Sequence, residues 1–180
     1  MKKKIIITGG LGYIGTELCK LYSGVSWHHK IIVIDNRFIS ERVNQLRNWN
    51  MEFIQGDILN LDLIKTHFKD ADVVHHLAGI TNVPRTKSES SEDQDKIIKE
   101  VGETGTQNIL DVINEKCKII FPSTHVVYEG IGEVKTDIKE DENTKPILSY
   151  STSKAINEKQ LKESGKNYII LRLGSVYGYS

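Results

Sequence analysis

This sequence predicts an α/β fold, a doubly wound parallel sheet covered by helices in three αβα layers, and three observations carry that prediction. Six short runs rich in Ile and Val recur along the chain, several of them apolar almost throughout, the pattern of strands covered on both faces. Segments of helical period lie between them, and a glycine-rich turn joins the first run to the first such segment. Strand and helix alternating in this order give a parallel sheet with helices on both sides.

In chain order, KIIIT (4–8) is the first strand, and YIGTELCKLY (13–22) follows as a helix with Ile14, Leu18, Leu21 and Tyr22 on one side. KIIVID (30–35), MEFIQGD (51–57) and DVVHHLAG (72–79) supply the next three strands. DQDKIIKEVGETGTQNILDVINEK (93–116) reads as one long helix, its stripe formed by Ile97, Ile98, Val101, Ile109, Leu110 and Ile113. KIIFPS (118–123) is the fifth strand, YSTSKAINEKQLKES (150–164) a second long helix, and NYIILRLG (167–174) the sixth strand. Two polar segments, TNVPRTKSESSED (81–93) and EGIGEVKTDIKEDENTKPILS (129–149), have neither period. Long loops in a compact domain are usually functional or disordered, and these two leave the carboxyl ends of strands, where open α/β sheets bind ligands. No repeat and no linker-like stretch divides the sequence, so residues 1–180 are expected to form one domain.

Composition excludes several classes of function. A domain of 180 residues buries roughly 68–70% of its unfolded surface and needs no staples. Its 24 basic and 24 acidic residues cancel, which argues against nucleic acid or an anionic membrane as the main partner. Cys19 and Cys117 match no metal-ligand spacing and no disulfide framework, and are expected to be buried, inert thiols. The opening MKKKIIITGG has a positive flank but too short an apolar core for an export signal, which needs about 7–15 residues. No apolar run approaches the ~20 residues of a membrane span, so a soluble, cytoplasmic protein is expected. The pairs His28-His29 and His75-His76 do not chelate by themselves, because neighbours on a strand face opposite ways, and no metal is expected.

The turn TGGLGYIG (8–15) satisfies G-x-G-x-x-G through Gly10, Gly12 and Gly15, and G-x-x-G-x-x-G through Gly9, Gly12 and Gly15. The first glycine permits a tight turn, Gly12 lets backbone approach a pyrophosphate, and Gly15 lets the helix pack on the strand. Free N–H groups at the helix start then hold the phosphates. Alone the pattern is weak, but it lies between a strand and a helix, and the next strand ends in Asp35, 20 residues beyond Gly15. That is the separation expected for the acid on an adenosine ribose in a Rossmann fold. A carboxylate there repels a 2′-phosphate and favours NAD over NADP, although Arg37, two residues on, is able to accommodate the phosphate.

With this turn, Asp35, GDI (56–58), HLAG (76–79), a Ser-Thr pair ending the fifth strand and YSTSK (150–154), the chain resembles the extended short-chain dehydrogenase/reductases. Within them it is similar to the NAD-dependent epimerase/dehydratase branch acting on nucleotide sugars. The resemblance runs from residue 4 to the end. It implies that Asp57 and Ile58 flank the adenine and that Leu77, Ala78 and Gly79 line the path to the nicotinamide. Tyr13, Ile14 and Asn36 complete the expected cofactor contacts. LRLGSVYGYS (171–180) looks like the family's Arg-x-x-Asn-x-Tyr-Gly segment, with Ser175 where Asn is usual. Family members continue into a smaller substrate domain, so the expectation is the cofactor half of a longer chain. A homodimer through the two long helices, and a nucleoside-diphosphate sugar as substrate, are likewise implied.

Tyr150 and Lys154, four apart on a helix, share one face. Moving a phenol from a pKa near 10 to about 7 requires roughly 4 kcal/mol, which one cation at about 4 Å supplies at an effective dielectric of ~20. By resemblance Lys154 also holds the nicotinamide ribose, and the positive nicotinamide adds to the shift, making Tyr150 a base for a sugar hydroxyl. Thr124 takes the place of the family's Ser/Thr that bonds the reacting oxygen, with Ser123 as the alternative.

Two departures stand out. Family dehydratases carry Thr-Asp-Glu where this chain has Thr124, His125 and Val126, which points to epimerase or simple redox chemistry. Gly102 replaces the Asn of the family's Asn-x-x-Gly-Thr, although Gly105 and Thr106 match; a glycine inside a helix costs about 1 kcal/mol against Ala. Three readings stay open: a nucleotide-sugar epimerase, a reductase or dehydrogenase (or dehydratase) of the same fold, and a non-catalytic NAD-binding module.

Overall fold

The computed structural model describes residues 2–81, 86–133 and 135–178; position 1, positions 82–85 and 134 of the two predicted loops, and 179–180 lie outside the described residues. Six parallel strands form one sheet: β1 (Lys4–Thr8), β2 (Lys30–Asp35), β3 (Glu52–Gln55), β4 (Val73–His76), β5 (Lys118–Thr124) and β6 (Asn167–Leu173). Their order is β3-β2-β1-β4-β5-β6. Register is continuous across the centre, with Ile6 beside both Ile32 and Val74, and the six strands are those anticipated from the apolar runs.

Alternation along the strands builds two cores. Ile5, Ile7, Ile31 and Val33 face α1 (Tyr13–Ser23) and α2 (Ser40–Asn48), meeting Cys19, Val43 and Leu46. Ile6, Ile32, Val74, Ile119 and Phe121 face the other way, onto Ile64 and Phe68 of α3 (Leu61–Phe68), Ile109 and Leu110 of α5 (Gly105–Val112), and Leu161 of α6 (Ser149–Glu163). Each of these fully buried aliphatic or aromatic side chains contributes roughly 1.5–3 kcal/mol. Both cysteines are free and buried, and burial pushes their thiols up to about 12 at Cys19 and about 11 at Cys117.

Four details differ from the sequence pattern. Helices α2 and α3 were not anticipated, since only Val43 and Leu46 in one, and Ile64 and Phe68 in the other, are buried. The segment read as one helix over 93–116 is α4 (Glu92–Lys99), a π-helical turn (Glu100–Thr104) and α5, and it stops at Val112. On α1, Leu21 is 79% exposed although it shares the side of Leu18 and Tyr22. Ile97 on α4 is likewise half exposed.

The strand order reverses between β1 and β4, so the loops leaving these two strands part and open a crevice at the carboxyl edge of the sheet. His75 and His76 show the opposite faces of β4. The Tyr22 hydroxyl of α1 meets His75 Nε2 at 2.7 Å, whereas His76 lies on the α5 side between Thr8 Oγ1 (2.9 Å) and Thr106 Oγ1 (3.0 Å). Burial, followed by the nearby charge of Lys154, pushes the His76 pKa down to about 3, so it is a neutral core histidine. Among the described residues no three His, Cys, Asp or Glu side chains converge as a metal site, and no helix is long and apolar enough to cross a membrane.

Candidate active site

The crevice is one cavity of about 760 Å³ that runs from the turn after β1 to the start of α6. At its floor the tight position of the turn is Gly9, with φ +66°, which decides between the two glycine patterns. A Cβ there would lie 2.7 Å from Ala78 N, so the end of β4 presses directly on the turn. At Gly15 a Cβ would lie 2.5 Å from Gly9 O, because α1 folds back onto the turn that precedes it. Gly12, the N-cap of α1, offers no side-chain acceptor, and the first turn of the helix contains no acid. The positive end of α1 therefore meets the cavity with no capping side-chain anion of its own, which suits a diphosphate.

Asp35 sits beside this turn, 5% exposed. Its Oδ2 accepts Leu11 N at 3.0 Å, and its Oδ1 accepts Arg37 N at 3.0 Å and Arg37 Nε at 3.2 Å. The carboxylate thus fastens the end of β2 to the glycine turn, and the Arg37 guanidinium folds back over it. Asn36 Nδ2 donates to Asp57 Oδ2 at 3.3 Å, and Asp57 Oδ1 accepts Leu59 N at 2.9 Å. Tyr13 and Ile14 line the same wall as Gly12; Ile58 lies beside Asp57, and Leu77, Ala78 and Gly79 follow β4 along the floor.

At the far end α6 brings in Tyr150 and Lys154, and β5 brings in Thr124. Lys154 is half-buried, one turn along α6 from the phenol. Its Nζ donates to Pro122 O at 2.9 Å and lies 4.3 Å from the centre of the Phe121 ring. Burial pushes its pKa down to about 8. The same ammonium is 5.9 Å from the centre of the Tyr150 ring. With Lys154 beside it, burial still holds the phenol's pKa above its ordinary value, so a further positive group is needed to bring Tyr150 towards neutrality.

Ser123 and Thr124 have different partners. Ser123 donates its hydroxyl to Glu158 Oε1 at 2.6 Å. Glu158 is also clamped by Arg172, Nε to Oε1 at 2.9 Å and Nη2 to Oε2 at 2.6 Å. Burial works against the Glu158 carboxylate, but the hydrogen bonds from Arg172 and Ser123 prevail and hold its pKa below the usual range. Thr124 Oγ1, in contrast, accepts Val126 N at 3.3 Å, and Thr124 lines the cavity. His125 is exposed, with Nδ1 3.2 Å from Leu173 O.

Gly102 falls in the π turn. Such a turn widens the helix, and two carbonyls in it accept amides from α6: Gly102 O from Asn157 Nδ2 and Glu103 O from Gln160 Nε2, both at 3.0 Å. A Cβ at 102 would lie 2.2 Å from Ser153 Oγ, so any side chain there has to displace that hydroxyl. A second cavity of about 30 Å³, large enough for a water, lies behind Lys154 between Gly102, Thr106, Ser153 and Asn157.

Apart from Gly10 of the alternative glycine pattern, the residues singled out from the sequence for cofactor or chemistry thus line the larger cavity. Sequence reasoning missed Arg42, which lines the cavity beside Arg37 and hydrogen-bonds Leu11 O. It lies in the unanticipated α2, and a lone arginine in a polar segment gives no signal.

A profile of the NAD dependent epimerase/dehydratase family matches residues 5–180. The chain is 32% identical over 197 residues to a dTDP-D-glucose 4,6-dehydratase of Dictyostelium discoideum, covering 98% of this chain and 44% of that protein. It is 29% identical over 182 residues to a UDP-glucose 4-epimerase of Neisseria meningitidis serogroup C, covering 91% of this chain and 49% of that protein. Among solved structures, the UDP-glucuronic acid 4-epimerase of Bacillus cereus in complex with UDP-glucuronic acid and NAD superposes with a TM-score of 0.74. Identity there is 29%, over 94% of this chain and 55% of that one. The chain spans about half the length of the curated relatives it matches.

Proposed function

The chain belongs to the NAD-dependent epimerase/dehydratase family, and from that premise we propose that residues 1–180 are the NAD-binding domain of an enzyme that epimerises a nucleoside-diphosphate sugar. One observation carries the proposal: the glycine turn, Asp35, Thr124, Tyr150 and Lys154 border a single cavity.

NAD, when bound, supplies a hydride acceptor. The N–H groups that open α1 hold its diphosphate, and Asp35 accepts from the adenosine ribose. A carboxylate has about four lone-pair sites, and the Arg37 side chain, 58% exposed, is free to move aside. Lys154 donates to the nicotinamide ribose. Tyr150 takes the proton of a sugar hydroxyl, and Thr124 donates a hydrogen bond to the same oxygen, so that the sugar becomes a ketose. In an epimerase the ketose turns over and is reduced on its other face.

The relatives include a dehydratase as well as an epimerase, and two side chains favour the second chemistry. Elimination of water calls for a second acid and base near the sugar. At 125 and 126 the chain offers an exposed imidazole near the Leu173 carbonyl and an aliphatic side chain. Pairing of two chains across α4 and α6, whose Ile97 is 51% exposed, belongs to the same proposal.

The test is product analysis with NAD and a panel of UDP-, dTDP- and GDP-sugars. An epimerised sugar without net NADH supports the proposal. Stoichiometric NADH identifies a dehydrogenase instead, and failure to bind NAD overturns the proposal altogether.

A further inference from the structure

The first turn of α6 carries Tyr150, yet its N-cap, Leu148, has no side-chain oxygen to receive the free N–H groups of a helix start. Just before the helix, an acceptor comes from outside it, while Leu148 N also meets Ser151 Oγ at 3.2 Å. Glu129 follows the 3₁₀ turn (His125–Tyr128) that leaves β5, and it turns a single oxygen, Oε1, onto three donors. These are Ile147 N at 2.7 Å, Leu148 N at 2.8 Å and the Ser151 hydroxyl. Ser151 is 1% exposed, so the third donor is inside the protein. Two backbone bonds, Lys145 N to Val127 O and Gly130 N to Lys145 O, both 2.8 Å, fasten the same two segments together. Burial opposes the charge on Glu129, but the bonds from Ser151, Leu148 and Ile147 prevail and hold its pKa below the usual carboxylate range. An anion is thus fixed at the positive end of the α6 dipole.

We propose that Glu129 is a positioning residue for Tyr150: its carboxylate locks the start of α6 to the segment that continues from Thr124, and so sets the phenol against the Thr124 hydroxyl. The inference deepens the proposed function and rests on Tyr150 being the base.

The experiment compares the full chain with Glu129→Ala and Glu129→Gln, each saturated with NAD, by NMR. Amide exchange is read at Ile147 and Leu148, and the Tyr150 ring by a ¹³Cζ-tyrosine label titrated with pH. In Glu129→Ala the Ile147 amide is expected to exchange about tenfold faster or more, the loss of one to two net hydrogen bonds, and Leu148, which keeps Ser151 Oγ at 3.2 Å, less so. The Tyr150 resonance moves, while NAD affinity stays within about twofold because the cofactor wall of β1 and α1 is untouched. Glu129→Gln keeps a neutral acceptor oxygen; it restores the amide protection to within about threefold and returns the Tyr150 resonance towards its original position. The proposal is overturned if the amides of Glu129→Ala stay protected, or if they are freed and the Tyr150 resonance does not move. If Glu129→Ala does not fold, Ser151→Ala, which removes one of the three donors on Glu129 Oε1, takes its place, and an unmoved Tyr150 resonance there also overturns the proposal. A phenol that never ionises in the unaltered chain defeats the base assignment instead, and the amides and the ring resonance still decide the role of Glu129.

Discussion

Replacing Lys154 by Met removes a buried ammonium while keeping most of its hydrocarbon stem. In the folded chain burial lowers the lysine pKa from 10.5 to about 8. At about 1.4 kcal/mol per pH unit, that fall is worth roughly 3 kcal/mol. The sign follows from proton binding: between pH 8 and pH 10.5 the unfolded chain holds the proton and the folded chain does not, so stability rises with pH across that window. Below it both states are protonated and the penalty is fully present; above it both are neutral and the penalty is gone. Cys19, Cys117, Tyr22 and Tyr150, whose pKa values are raised by burial, pull stability down in the alkaline range. Cys19, Cys117 and Tyr22 are common to both proteins and drop out of the difference, and with both proteins carrying Tyr150→Phe so does the phenol. Urea unfolding of the two proteins at a series of pH values is the assay. The chain that keeps Lys154 is expected to gain roughly 3 kcal/mol on Lys154→Met between pH 7 and pH 10.5. A gain under about 1 kcal/mol means that Lys154 is solvated, and the buried ammonium is then refuted. With a pKa of about 8 the side chain is still about nine-tenths protonated at pH 7, which is the state its proposed role requires.

Tyr150→Phe is expected to lower turnover by at least about a hundredfold while NAD affinity, read by calorimetry, changes by less than about threefold, since α1 and Asp35 hold the rest of the cofactor. Gly9→Ala forces a side chain into φ +66° and to 2.7 Å from the Ala78 backbone. It should destabilise by at least about 2 kcal/mol in urea unfolding, and weaken NAD binding in the same protein. Arg172→Met leaves the Glu158 carboxylate, 3% exposed, without its bidentate partner. Lys162 at 3.6 Å compensates only in part, so a loss of about 2–4 kcal/mol is expected, and Arg172→Met combined with Glu158→Leu should recover much of it.

Where the backbone or a shared cavity demands a particular residue type, position along the chain pointed to it. Glycine suits φ +66° where the turn presses on the end of β4, the acid at the end of β2 accepts Leu11 N of the turn, and a tyrosine and a lysine four apart on α6 line one cavity. The strands were equally legible because both faces of each central one are covered, which leaves apolar runs with no alternation. Long-range packing was not legible. The π turn at 100–104 coincides with Asn157 and Gln160 bonding its carbonyls from 55 and 57 residues away, and no local period records that. Helices α2 and α3 each bury only two side chains, too thin a stripe to stand out. The apolar pattern of α1 says that Leu21 shares a side with Leu18, but not how far the sheet reaches beneath it. The spacing of Tyr150 and Lys154 likewise gave a shared face but not the partner of the ammonium, the Pro122 carbonyl 32 residues earlier.

A structure of the chain with NAD tests the central claim most directly. It should show an adenosine ribose hydroxyl within hydrogen-bonding distance of the Asp35 carboxylate, the diphosphate on the N–H groups that open α1, and the nicotinamide ribose bonded to Lys154 Nζ beside the Tyr150 phenol. A dinucleotide bound elsewhere, or bound with its nicotinamide end turned away from Tyr150 and Lys154, would contradict the claim that one crevice unites cofactor and chemistry.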